Sequence, residues 1–400
     1  MLRVTSERKI EIRASLPFVT RTERGESMKI LIITANYYPH VGGVEVVVKE
    51  VTERLAQQGH ACTLLTLNPC AVQEEEEELN GVHIKRFSSR ISKRLFELSP
   101  EMFLYCVRNR RAFNTCDVVH IHNYNSLLSL QMAFLLKDVV RTNGKVIFSP
   151  YYHATGHTKM ASVLLKILRP FGRWILKNVD AFICISDYEA SLIQLDFSIP
   201  RKKVWTIPIG VGKINKKRTG KERGGPISLL YVGRVEKYKG IQFILGAMAE
   251  LKEAHEISSS LTIVGEGNYA NELRNSSKRL GLEGAVRWVT RLPPETLDRE
   301  YANADVLLLL SQTEAYGLVV AEALARGTPC IVSNTSALTE FLLEPGCFGI
   351  DYPPNEEALA NLILNVYNND VTVGQLSRKV RVWDDVADDY LRAYRSIIET

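Results

Sequence analysis

Cysteine is sparse and unpatterned in this chain: seven are scattered through 400 residues, with no Cys-x-x-Cys spacing. An odd, dispersed set excludes a disulfide framework and points to a reducing, cytoplasmic setting. Long hydrophobic runs are missing too. No stretch of 18 uncharged apolar residues occurs, so a membrane-spanning helix is not expected. The first 27 residues mix Arg with Glu and have no apolar core segment, which is not the pattern of a signal peptide. They read as a disordered extension, with Met28, at the first apolar strand, as an alternative start. Also absent is an Asp-x-Asp element of the kind that holds a divalent ion with a diphosphate.

What is present is an ordinary globular composition, long enough for two domains with ample core. The net charge of +5 conceals an asymmetry. Residues 81–225 hold 25 Lys and Arg against 9 Asp and Glu, a net of +16, leaving −11 for the rest. A basic half of this kind suits an anionic partner such as a membrane surface or an acidic acceptor. The run Glu74–Glu78 reads as a solvated, self-repelling loop.

Short apolar runs alternate with helical patterns. Met28–Thr34 reads as a buried strand, then a loop with Gly42-Gly43, a helix over Val44–Gln58 and a second strand over His60–Leu67. Glycines before a helix let backbone approach a phosphate or sugar without a Cβ in the way, although this turn lacks the GxGxxG fingerprint of a simple dinucleotide site. Asp117–His122 is a strand with His120 and His122 on one side, and no carboxylate or thiol nearby completes a metal set. Residues 162–178 contain an amphipathic, basic helix, suited either to core packing or to lying on anionic lipid. Gly210–Pro226 is the linker between a first domain over 28–209 and a second over 227–382, with residues 383–400 as a closing amphipathic helix.

The second half repeats the pattern. Ile227–Val232 is a strand, followed by the basic loop Gly233–Gly240 and a helix. Arg234 and Lys239 flank that turn, and two fixed cations beside a helix start suit a diphosphate. The chain is organised around Ser311–Ser333. Asp305–Leu310 leads in as a buried strand, Ser311–Tyr316 is a polar loop and Gly317–Arg326 a helix. Gly327 ends the helix as a left-handed cap, Pro329 prevents its continuation, and Cys330–Ser333 is the next strand. Glu314 and Glu322 stand eight residues apart, at the carboxyl end of a strand, where open α/β sheets bind ligands.

The string E-A-Y-G-L-V-V-A-E-A-L-A-R-G-T-P resembles the E-x7-E signature of the family 4 retaining glycosyltransferases, and G-R-x-x-x-x-K-G resembles their diphosphate loop. The resemblance runs from about Met28 to Thr400. It implies the GT-B fold, with two Rossmann-like doubly wound α/β domains facing a cleft and a last helix crossing back to the first domain. It implies that Glu314 holds the transferred sugar and that Ala315, Tyr316, Gly317 and Leu318 offer backbone amides to sugar and phosphate. Glu322 would then bind the ribose, Arg234 and Lys239 grip the diphosphate, and Gly42 and Gly43 face the donor phosphates. His153 would face the donor sugar, and no metal ligand or cofactor is implied. The expected partners are a nucleoside-diphosphate-sugar donor and a glycan or lipid-linked acceptor, with peripheral contact to anionic membrane and no nucleic acid. In place of the family's usual Pro-Asn-Gly-Val-Asp, this chain has Pro208-Ile209-Gly210-Val211-Gly212 at the hinge. An epimerase or hydrolase of the same fold, or a sugar-nucleotide sensor without turnover, would keep much of this pocket.

Overall fold

The computed structural model describes residues 27–39, 42–68, 75–88, 99–152, 169–214, 225–369, 371, 373–374, 376 and 380–400. In the first half, strands β1 (Lys29–Ile33), β2 (Ala61–Asn68), β3 (Glu75–Leu79), β4 (Val82–Ser88), β5 (Val118–His122), β6 (Lys145–Ser149), β7 (Ala181–Cys184) and β8 (Val204–Thr206) form one sheet, ordered β3-β4-β2-β1-β5-β6-β7-β8. Its pairings are parallel except β3 with β4. Helices α1 (Gly43–Gln57), α2 (Pro100–Arg108), α3 (Arg110–Phe113), α4 (Leu127–Phe134) and α5 (Asp187–Phe197) belong to this half.

The second half has β10 (Ile227–Val232), β11 (Ser259–Val264), β12 (Val286–Val289), β13 (Val306–Leu309), β14 (Cys330–Ser333) and β15 (Cys347–Ile350), in the order β12-β11-β10-β13-β14-β15, all parallel. Its helices are α6 (Ile241–Glu253), α7 (Ala270–Arg279), α8 (Pro294–Asn303), α9 (Leu318–Ala325) and α10 (Glu356–Asn368); α11 (Trp383–Glu399) closes the chain. Both sheets are of the Rossmann type, doubly wound from a central strand, as the sequence predicts.

The strand sequences explain the layers. Along β1, Ile30 and Ile32 join one apolar cluster while Leu31 and Ile33 join another on the opposite face. Side chains alternate along a strand, so a run without polar interruption must be covered on both faces.

The acidic run departs from its sequence reading. Within the described residues, Glu75–Leu79 is no loop but the antiparallel edge strand β3. The Lys85 ammonium bonds Glu76 at 2.6 Å and the Arg86 guanidinium bonds Glu77 at 2.8 Å. Cross-strand charge pairs thus offset the poor strand propensity of glutamate. The exposed carboxylates also keep this sheet edge from pairing with another chain.

The linker is also more structured than its composition suggests. Gly210–Val211 forms a short strand, β9, paired in parallel with β16 (Arg381–Val382), which ties the two inter-domain connections together. A Cβ on Gly210 would sit 2.8 Å from the Trp383 ring, so only glycine lets them cross. From there α11 lies along α1 in the first half, where Arg54 Nε bonds Asp384 at 2.6 Å and Gln58 Nε2 bonds Asp388 at 2.8 Å.

One of the two histidines of β5, His120, joins this docking. Ser149 Oγ donates to the Ile183 carbonyl at 2.9 Å, so it accepts from His120 Nε2, also at 2.9 Å. His120 Nδ1 is then left to accept from the Tyr394 hydroxyl of α11, at 2.7 Å. His122 Nδ1 meets the Tyr151 hydroxyl at 3.2 Å. Burial lowers both imidazole pKa values, that of His122 to about 3, which keeps the pair neutral. Among the described residues no three His, Cys, Asp or Glu side chains gather as a metal-holding group.

Candidate functional site

In the second sheet β10 lies between β11 and β13, so the chain reverses its winding direction there. Crevices in open α/β sheets form at such a switch point, outside the carboxyl ends of the strands. The loops that follow β10 and β13 are the two that carry Arg234, Lys239 and Glu314.

Glycine allows these loops to meet. Gly233 and Gly265, after β10 and β11, both have φ of +146°, and a Cβ on Gly265 would lie 1.9 Å from the Gly233 carbonyl oxygen. Gly240 caps α6 with φ of +75°, and a Cβ there would lie 2.1 Å from the Leu310 carbonyl oxygen. With the backbones this close, the Gln312 N–H donates to the Tyr238 carbonyl at 2.8 Å.

This approach brings Lys239 onto Glu314. The ammonium pairs with Glu314 Oε1, which also accepts from Ser311 Oγ at 2.7 Å, and the Glu314 N–H donates to Ser336 Oγ at 2.8 Å. Lys239 is therefore not the exposed loop residue that its sequence context suggests: it is 9% exposed. Its partner lies 75 residues away, beyond any spacing rule. Arg234 is exposed, as expected, with Nη2 2.6 Å from the Tyr238 hydroxyl and its guanidinium 5.9 Å from that ring centre.

Ala315 and Tyr316 are buried, and Gly317 caps α9 in the left-handed region, φ +113°. α9 thus starts at Leu318, four residues after Glu314, with the positive end of the helix on that side. The loop is also held from the first half. Ser186 Oγ donates to the Ala315 carbonyl at 2.7 Å, and the Tyr188 N–H donates to Glu340 at 2.8 Å. Glu322, half-buried about a turn into α9, accepts from the Tyr301 hydroxyl at 2.7 Å. Burial raises its carboxyl pKa, opposed by the Tyr301 hydrogen bond and by Arg326.

In the first half, Gly42 is the N-cap of α1 and Gly43 its first residue. A Cβ on Gly43 would meet no described atom within 4 Å, so packing among the described residues does not demand glycine there. His153 lies outside the described residues.

Sequence reasoning missed Ser186, Glu189, Tyr301, Ser311 and Ser336. Glu189 is fully buried, accepting from the Tyr152 and Ile185 N–H groups at 2.6 and 2.7 Å, and burial lifts its pKa to about 7. Ser186 caps α5 by accepting from the Glu189 N–H; its 2.7 Å reach to the other half leaves no local sequence signal.

Sequence profiles agree with this geometry. Residues 41–212 match the family described as Glycosyltransferase Family 4, and residues 213–383 match Glycosyl transferases group 1. The chain belongs to the family 4 glycosyltransferases. This glycosyltransferase is 26% identical over 410 residues to an uncharacterised glycosyltransferase of Methanocaldococcus jannaschii, covering 93% of this chain and 99% of the relative. It is 26% identical over 381 residues to the alpha-monoglucosyldiacylglycerol synthase of Streptococcus pneumoniae, covering 88% and 82%. Among solved structures, the sucrose-phosphate synthase of Thermosynechococcus elongatus has the same fold, with TM-score 0.71 and 20% identity over 93% of this chain and 99% of that one.

Proposed function

We propose that this enzyme transfers a sugar from a nucleoside diphosphate to an acceptor hydroxyl with retention of anomeric configuration and without a metal ion. The observation that carries this reading is the buried Lys239–Glu314 pair beside the start of α9. As the glycosidic bond breaks, negative charge grows on the departing diphosphate. Lys239, Arg234 and the first amides of α9 supply preorganised positive charge to receive it. Glu314 Oε1 is engaged by both Lys239 and Ser311, which supports a role in holding sugar hydroxyls over one as nucleophile. Retention then proceeds by a same-face displacement in which a leaving phosphate oxygen takes the acceptor proton. In this reading Glu322 holds the ribose, Gly42 and Gly43 face the donor phosphates, and His153 has the role toward the donor sugar that the family resemblance implies.

The test begins with thermal-shift screening against UDP-, GDP- and ADP-sugars. Turnover of the stabilising donor is then followed with and without acceptors, and product stereochemistry is read by NMR. Donor loss that is independent of acceptor would favour a hydrolase or epimerase; an inverted product would remove the retaining assignment. Activity is expected to survive EDTA, because side chains and amides perform the electrostatic work. Complete loss that magnesium restores would show a metal step.

The acceptor is proposed to be lipid-linked, and the basic half to dock on anionic membrane. Among the described residues no helix is long and apolar enough to cross a membrane. Instead, in the helical residues 169–176, Ile175 and Leu176 are buried while Phe171 and Trp174 are 52% and 47% exposed, with stacked rings 6.1 Å apart. Arg173 and Lys177 are exposed beside them. Aromatics turned outward among cations suit a lipid interface, and each basic residue near an anionic surface is worth about 1 kcal/mol. The glycolipid product named for the S. pneumoniae relative fits such an acceptor. Co-sedimentation with anionic vesicles at low salt is expected, fading at high salt and in Trp174→Ser/Lys177→Glu. A wild type that stays in the supernatant at low salt would point to a soluble acceptor.

A further inference from the structure

Glu322 sits in an arrangement more constrained than a ribose ligand by itself requires. Tyr301 and Asp298 lie on α8, and Glu322 and Arg326 lie on or just after α9, so four polar groups alternate across one seam. The Arg326 guanidinium pairs with Asp298 through Nε at 2.8 Å and bonds the Glu322 backbone carbonyl at 2.9 Å through Nη1. It also lies 5.3 Å from the centre of the Tyr301 ring. Asp298 thereby occupies the guanidinium, leaving the Tyr301 hydroxyl as the group that meets the Glu322 carboxylate, at Oε2 and 2.7 Å. Among the described residues nothing bonds Oε1, so one oxygen is fixed and its neighbour is left for a ligand. Tyr301 itself cannot drift, because it is 1% exposed and Thr328 Oγ1 donates to its backbone carbonyl. A phenol so buried also stays protonated, and acts only as a donor here.

We propose that Tyr301 is a positioning residue for donor recognition: its hydroxyl fixes Glu322 in the rotamer and charge state that accept the ribose hydroxyls. This rests on the ribose role given to Glu322 above. The physical reason is specific. A half-buried carboxylate without a donor either swings toward water or takes up a proton, and both outcomes remove the acceptor that a ribose diol needs. One hydrogen bond to Oε2 opposes both while leaving Oε1 available.

The test compares UDP, GDP or ADP, whichever binds the wild type, with its 2′,3′-dideoxy counterpart, by calorimetry. A hydrogen bond to a charged group discriminates by about tenfold or more, so the wild type is expected to prefer the ribonucleotide by at least that factor. In Tyr301→Phe the preference is expected to fall to about threefold or less, through weaker ribonucleotide binding at unchanged dideoxy affinity. Glu322→Gln is the control for the underlying reading. Lost preference in E322Q but full preference in Y301F overturns the positioning role and keeps the ribose site. Wild-type preference in E322Q overturns the ribose site itself, and this inference with it. Equal losses for both nucleotides in Y301F mean that Tyr301 only joins α8 to α9, which also overturns the proposal. Glu322→Asp guards against a Y301F that fails to fold. It keeps the charge but withdraws the carboxylate from the phenol by one methylene, so the preference should fall as in Y301F. Full preference in E322D counts against the proposal.

Discussion

Lys239→Ala is expected to lower turnover by roughly 10²- to 10³-fold, the usual cost of removing one preorganised charge from a transition state. It is also expected to destabilise the protein. Glu314 keeps its bond from Ser311 Oγ but loses its cation in a setting where the two side chains are only 11% and 15% exposed. Removing one partner of a buried pair costs roughly 3 kcal/mol or more, which predicts a Tm lower by roughly 5 °C or more. Arg234→Ala provides the contrast. Its guanidinium is exposed, so turnover should fall by about 10² with Tm unchanged to within about 1 °C. Steady-state kinetics and scanning calorimetry on both variants decide this. Wild-type turnover in both would sink the diphosphate assignment, and an unchanged Tm in Lys239→Ala would contradict the buried pair.

Gly240→Ala is expected to have a large effect on stability for a single added methyl. The left-handed backbone at φ +75° costs an L-residue about 1–2 kcal/mol. The new Cβ would also meet the Leu310 carbonyl oxygen at 2.1 Å. That contact is with backbone, which cannot step aside as a flexible side chain can, so overpacking adds about 1–3 kcal/mol. Relief requires the loop after β10 to move from the loop after β13, which separates Lys239 from Glu314. Donor affinity should therefore fall at least about tenfold along with Tm, since the cations and the sugar loop lose their register. Gly43→Ala is the comparison, because its Cβ meets nothing described and its backbone is helical. Its Tm should hold, and any loss of activity there would report ligand contact. A Gly240→Ala protein with wild-type Tm would contradict the close crossing of the two loops.

Much of this was legible in the chain itself, for identifiable reasons. Asp305–Leu310 was readable as a strand because an unbroken apolar run of that length needs cover on both faces, and β13 is Val306–Leu309. Gly317, Gly327 and Pro329 punctuate α9 because each residue type is tied to a particular backbone conformation. The acidic strand β3 was not readable, since glutamate is a poor strand former and its cause lies in Lys85 and Arg86 on the neighbouring strand.

What the sequence by itself determined is the alternation of strands and helices, the glycines at the two loop crossings and the chemical types gathered near them. These follow from local rules of period, propensity and turn geometry. The tertiary structure decided which groups meet. It buried Lys239 against Glu314, brought Ser186 to the Ala315 carbonyl of the other half and set Tyr301 on Glu322. Those pairs lie 75, 129 and 21 residues apart. Local spacing cannot encode such encounters: charge pairing and hydrogen bonding act through space, and that distance is fixed only once the second sheet has set its loops and helices side by side and the two halves have met.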